Sequence, residues 1–185
     1  MNYGLPTTVE VDGVSWDIRS DYRAILDIIE ALNDPELDPR EKAFVALDIF
    51  YPDFEKMPQS ALQAALEQCF GFIEMGERKS GNAPKVVDWE HDFPYIVAPI
   101  NAVAGQEIRA LPYLHWWTFI AYYGEISGEC TFAQIIRIRD KKARGKSLDK
   151  TEREWYNRNR ELVDIPQRYT EAEEELLKKW GGVIG

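Results

Sequence analysis

His91 and His115 are the two histidines of a 185-residue chain, and a metal or acid–base centre would have to be built on them. A metal site would need both, with carboxylates such as Glu90, Asp92 or Glu125, and their spacing fits no known metal-ligand pattern. Asp88, Glu90 and Asp92 form an acidic cluster in the run DWEHD. Paired carboxylates can do acid–base work, but carboxylates at a helix start ordinarily cap it. Nucleophilic catalysis would need a Ser, Cys or Thr beside a base and an orienting acid. Neither Cys69 nor Cys130 carries such a cue. The chain has no G-x-S-x-G, no Walker loop and no G-x-G-x-x-G. The expectation is no catalytic residue, no cofactor and no metal, hence no enzyme.

Other candidates are cationic or aromatic. The run RIRDKKARGK, Arg137 to Lys146, is locally basic in a chain of net charge −10. Residues 1–128 hold 9 Lys+Arg against 21 Asp+Glu, whereas 137–160 hold 10 against 4. The run reads first as a solvated helix face, then as a protein-binding surface. A DNA-binding regulator using the basic helix 132–144 is an alternative, although the acidic remainder argues against strong nucleic-acid or anionic-membrane affinity. Arg139 falls on the apolar side of its helix. A buried arginine needs a carboxylate or carbonyl oxygens, so an ion pair with Glu129 or with the acidic cluster is expected. Six Trp, nine Tyr and eight Phe supply core and interface anchors.

The elements that must position these residues are mostly helical. Thr7–Val11 and Val14–Ile18 flank Asp12-Gly13, a pair suited to the positive φ angles of a type I′ hairpin. Apolar spacing then predicts helices over about Asp21–Leu32 (Ser20 capping), Pro39–Phe50 (Asp38 capping) and Ser60–Met75. Residues 77–85 read as an exposed linker between sub-halves 1–76 and 86–185 of one domain. A fourth helix, Asp88–Ala104, contains Pro94 and Pro99 and is expected to be kinked or split. The most apolar element, Pro112–Ser127, is expected to be one central helix, with Tyr113, Trp117 and Ile120 on one face and His115, Thr118, Tyr122 and Glu125 on its polar stripe. Helices capped by Thr131 (to about Arg144), over Asp149–Val163 and over Glu171–Trp180 complete the expected fold. That fold is mostly α, bundle-like, with a small N-terminal β-hairpin. MNYGLPTTVE has neither the basic start nor the apolar run of a secretory leader. No stretch of about 18 apolar residues exists to span a membrane. The cytoplasm is the expected address.

Several strings resemble one family. They are Glu107-Ile108-Arg109, Leu114-His115-Trp116-Trp117-Thr118-Phe119, Gly128-Glu129-Cys130-Thr131-Phe132, Ile138-Arg139, and Gly145-Lys146-Ser147-Leu148-Asp149-Lys150, with Glu152 and Tyr156 shortly after. They resemble the tail protein of Gram-positive siphophages and prophages encoded next to the tape-measure gene, most strongly over Asp88–Asp164. The resemblance implies a tail-assembly chaperone that coats the tape-measure protein in the host cytoplasm. The major tail protein would be a second partner, and the chaperone would self-associate. The alternative is a structural minor component of the virion tail. The resemblance brings no catalytic residues. A client groove is expected near Pro112–Ser127 and Thr131–Arg144, with Trp116, Phe119, Tyr123, Arg137 and Lys141 as interface candidates.

Overall fold

The computed structural model describes residues 4–75, 84–170 and 172–173. The chain is mostly α-helical with a two-stranded antiparallel hairpin at its N-terminus. Strands β1 (Thr8–Val11) and β2 (Val14–Asp17) pair with Val11 opposite Val14. Asp12 (φ 49°) and Gly13 (φ 78°) both take the positive φ that a two-residue type I′ loop requires. Val11 and Ile18 turn inward and are buried.

Helix α1 (Tyr22–Asn33) begins one residue later than expected. Asp21 rather than Ser20 caps it, accepting the Arg23 amide at 3.0 Å. Helix α2 (Pro39–Phe50) opens on a full capping box: the Asp38 carboxylate accepts the Glu41 amide and Glu41 accepts the Asp38 amide. A 3-10 turn at Gln59–Ala61 leads into α3 (Leu62–Ile73). The expected linker falls largely outside the described residues, which resume at Pro84. Helix α4 (Trp89–Ala104) then runs unsplit through Pro94 and Pro99 and ends on Gly105 at φ 69°.

The expected helix Pro112–Ser127 is shorter, because α5 covers only Trp116–Gly124. Residues just before it are tied to the start of α1. The Tyr22 amide donates to the Leu114 carbonyl (2.9 Å), the Trp116 amide to Ser20 (2.8 Å), and Asp21 bridges to His115. Backbone groups satisfied across this short bridge cannot also close helical turns. Tyr113 therefore lies off the helix, half exposed, sharing a hydrogen bond with the Ser20 hydroxyl. His115 leaves the predicted polar stripe and becomes the buried N-cap of α5.

Helix α6 (Thr131–Ala143) is capped by Cys130, whose sulfur faces the Ala133 amide at 3.4 Å. Its buried face is Phe132, Ile135, Ile138 and Arg139, with Ile136 only half-buried. The predicted helix over Asp149–Val163 is two, α7 (Lys150–Arg158) and α8 (Arg160–Val163). Between them Asn159 leaves helical geometry (φ −127°, ψ 33°), while its backbone and side-chain amides both donate to the Trp155 carbonyl. The last expected helix, 171–180, lies outside the described residues except for 172–173.

One apolar cluster crosses both sequence halves, from Val11, Ile25, Phe50 and Phe72 to Ile96, Ile100, Phe119 and Phe132. Tyr22 of α1 stacks on Phe119 of α5, with ring centres 4.7 Å apart. Trp116 and Trp117 donate their indole N–H groups to the Ile73 and Phe72 carbonyls at the end of α3, both at 2.9 Å. A smaller cluster of Ile135, Ile138 and Val163 joins α6 to α8.

Candidate protein-docking groove

The expected interface residues are placed unevenly. Trp116 (2 % exposed) and Phe119 (0 %) are core residues with no surface to present to a partner. The cause is the position of α5, which packs against both α1 and α4. Tyr123 is half-buried between Trp89 (ring centres 5.0 Å) and Phe132 (5.8 Å), and burial pushes its hydroxyl up to about 12. Arg137 is exposed and donates to the Gly128 carbonyl. Lys141 is paired with Glu152 at 2.5 Å. Lys142 meets Asp164 and Arg144 meets Asp140, so much of the basic run is neutralised within the chain.

Arg139 draws on the acidic cluster and not on Glu129, which is exposed at the start of α6. Its guanidinium grips Asp92 with two bonds, 2.6 and 2.9 Å, and donates to the carbonyls of Val86 (3.0 Å), Leu162 (2.9 Å) and Val163 (2.5 Å). All five N–H donors are used. Asp92, fully buried, also accepts the Asp88 amide. This hub fixes α6, the end of α8 and the approach to α4 as one unit. Asp88 caps α4 by accepting the His91 amide and takes Arg168 at 3.0 Å. Burial alone would raise its carboxyl, but the His91 amide and the Arg168 and Lys85 cations hold it below the ordinary range.

The His115 ring is tied into the fold, whereas the buried His91 Nε2 has no hydrogen-bond partner among the described residues. The His115 Nδ1 accepts the Trp117 amide, so the Nε2, 3.0 Å from the Pro6 carbonyl, must carry the proton and donate it. Among the described residues, no group of three or more His, Cys, Asp or Glu is placed to hold a metal ion. No described helix is long and apolar enough to cross a membrane.

A site missed by sequence reasoning lies between α1 and α4. Tyr22, Ile25 and Ile28 turn α1 toward the core, which leaves Leu26 and Ile29 on its flank, half-buried. Opposite them stand Trp89 and Phe93 of α4, also half-buried. These four form the floor of a 390 Å³ groove rimmed by Arg23, Asp27, Glu30, Glu90, Arg109 and Arg168. Trp89 rests on Trp116, Phe119 and Tyr123, so its wall is backed by the core. Arg23 is held by Asp21 and by the Leu111 carbonyl. Glu107, gripped by the Arg109 side chain and amide, has its carboxyl pulled down to about 2. A second, more polar cavity of 790 Å³ shares Glu30, Glu90 and Arg168 with the groove and continues it past His91. The apolar floor was legible as helix spacing, but a stripe cannot say which of its members the core leaves uncovered.

A half-buried apolar floor with a charged rim is a concave site that could take an apolar ligand or the apolar face of a helix. Compared with known families, residues 1–165 match the family described as Bacteriophage Gp15 protein. The chain belongs to that bacteriophage family. The match runs from the hairpin through α8, so the groove floor, the Arg139–Asp92 hub and the aromatic core all lie within the Gp15 region. No curated protein and no solved structure matches the chain.

Proposed function

We propose that this Gp15-family protein is a tail-assembly chaperone that grips helical segments of the tape-measure protein before the tail tube encloses them. The observation that carries the reading is the groove of Leu26, Ile29, Trp89 and Phe93, an apolar floor inside a charged rim. A tape-measure protein is long and helical, and its apolar stripes invite aggregation until they are covered. An amphipathic helix laid into such a groove buries that stripe and can be displaced when the tube assembles. The net charge of −10 would keep a coated client soluble. The bacteriophage family and the resemblance around Leu114–Phe119 support a role in the phage, and the reading needs no catalytic chemistry. The working place is the host cytoplasm.

The test is co-purification of the full chain with the tape-measure protein of the same phage. Leu26→Asp and Ile29→Asp should reduce capture at least about tenfold, since a charge facing a desolvated apolar partner is heavily penalised. Val14→Asp, at an exposed position on the hairpin, should leave capture unchanged. Equal capture by all three would refute the groove. Mass spectrometry of purified virions should find no copy. Its presence there would make the protein a structural minor tail component. A salt-sensitive gel shift by the full chain would instead point to a DNA-binding regulator.

A further inference from the structure

Taking the groove as the client site, we infer that its occupant is a basic amphipathic helix of another chain, with lysine or arginine along the flank that lies beside α1. The cations around the groove are already engaged within the protein. Arg23 is held by Asp21 at 3.1 Å, Arg109 by Glu107 at 2.8 Å, and Arg168 by Glu90 at 2.8 Å and Asp88 at 3.0 Å. Lys85 meets Asp88 at 3.9 Å and donates to the Asn33 side chain at 2.9 Å. The carboxylates of α1 are not matched in this way. Asp27 and Glu30 line the groove, are exposed, and form no ion pair among the described residues. Asp34, in the adjoining cavity, accepts the Glu36 amide and likewise has no ion pair among the described residues.

Asp27, Glu30 and Asp34 follow one another at i, i+3 and i+7, so they lie along one edge of α1 and its C-cap. At about 1.5 Å per residue this acidic track runs roughly 10 Å, about two helical turns. It borders Leu26 and Ile29, the half-buried α1 side of the apolar floor. A client helix that seats its apolar stripe on Leu26, Ile29, Trp89 and Phe93 brings a flank against the track. Lysine or arginine there, at the same helical spacing, meets carboxylates that have no internal partner. Aspartate or glutamate there meets like charge, with each described rim cation already held. Complementarity at a rim selects the partner and fixes its register more than it adds affinity. An apolar floor supplies the contact, and the acidic edge decides which amphipathic helix may use it.

Two synthetic peptides binding to the full chain test this. Both carry the same leucine stripe over about four helical turns; one has lysines along a flank and the other has glutamates at the same positions. By fluorescence anisotropy at low ionic strength, the lysine peptide should bind at least about tenfold tighter, and the gap should shrink as salt rises. Equal affinities would overturn the inference. Since the whole chain carries a net charge of −10, the position of the effect must be checked as well. Asp27→Lys with Glu30→Lys should abolish or reverse the preference. Glu10→Lys with Glu67→Lys, at exposed sites on the hairpin and α3, makes the same change in net charge and should leave most of it. Equal loss in the two double variants would place the attraction in the overall field and overturn the inference. Leu26→Asp should weaken the lysine peptide about tenfold, and unchanged binding would put the peptide outside the groove, with the same consequence. Equal binding of both peptides that Leu26→Asp abolishes would keep the groove and remove its charge preference. Groove-dependent preference for the lysine peptide, without capture of the tape-measure protein, would keep the basic helix and remove the tape-measure reading.

Discussion

Breaking the Arg139–Asp92 hub from either side should destabilise the protein, and unequally. Asp92 is 0 % and Arg139 6 % exposed, so neither charge is relieved by water once its partner is gone. Removing one member of such a pair typically costs about 3–5 kcal/mol. Asp92→Asn keeps the shape but turns an amide N–H₂ toward the guanidinium donors, and it leaves Arg139 its three carbonyl contacts. Arg139→Met strands the carboxylate and also strips the cap from the last two carbonyls of α8, Leu162 and Val163. Val163 is buried, and an unsatisfied buried carbonyl costs about 1–3 kcal/mol more. Arg139→Met should therefore be the worse variant by that margin. With a urea slope of about 2 kcal/mol/M, a loss of about 4 kcal/mol moves the midpoint down by about 2 M. Far-UV circular dichroism through a urea titration reads this directly. Midpoints shifted by less than about 0.5 M in both variants, or Asp92→Asn the more damaging, would refute the reasoning.

The same chemistry sets two further outcomes. The Asp88 carboxyl sits below its ordinary value of 3.8, so the stability it contributes is fully present above about pH 4 and is lost as pH falls through its lower native value. Asp88→Asn should consequently flatten the acid limb of stability below about pH 4, and a limb of unchanged steepness in urea midpoints would contradict this. Cys69 is fully buried with its thiol raised to about 12, while Cys130 is half-buried at a helix start. A thiol reagent at neutral pH should label Cys130 first and reach Cys69 only at the rate of unfolding. Equal labelling of the two in the native state would show that the α3 face opens.

Where local chemistry decides structure, the amino-acid order was enough. Asp38, Pro39 and Glu41 set the start of α2, and Asp12-Gly13 set the hairpin turn, because cap and turn need only near neighbours. The Pro112–Ser127 element misled for the opposite reason. Its apolar pattern is helical, but residues before Trp116 are claimed by backbone bonds from Ser20 and Tyr22, more than ninety positions earlier. Arg139 was recognisable as a buried cation in need of an anion. Which anion was a tertiary matter, settled by α4 lying across α6. The same limit hid the groove. Leu26 and Ile29 belong to the apolar stripe of α1 as surely as Ile25 and Ile28, and only packing shows which pair the core leaves half open.

The aromatic residues nearest the family-like motif belong to the scaffold, and this bears on how the groove would work. Trp116 and Phe119 back Trp89 from inside, and Arg139 holds the chain just before α4 through the Val86 carbonyl. One wall of the groove is thus braced by buried rings and by a fully satisfied guanidinium. The other, on α1, is braced by Tyr22 stacked against Phe119. A groove already formed needs little ordering when a helix enters, so contact energy is not consumed in shaping the site. Phe119→Ala should accordingly weaken client capture without Phe119 ever touching a client, by loosening both walls together. It should also lower thermal stability, since truncating a buried Phe costs about 3–5 kcal/mol. The two effects separate by temperature: cooling that restores the fold but not the capture would place the loss in the groove's geometry, and recovery of both together would place it in global unfolding.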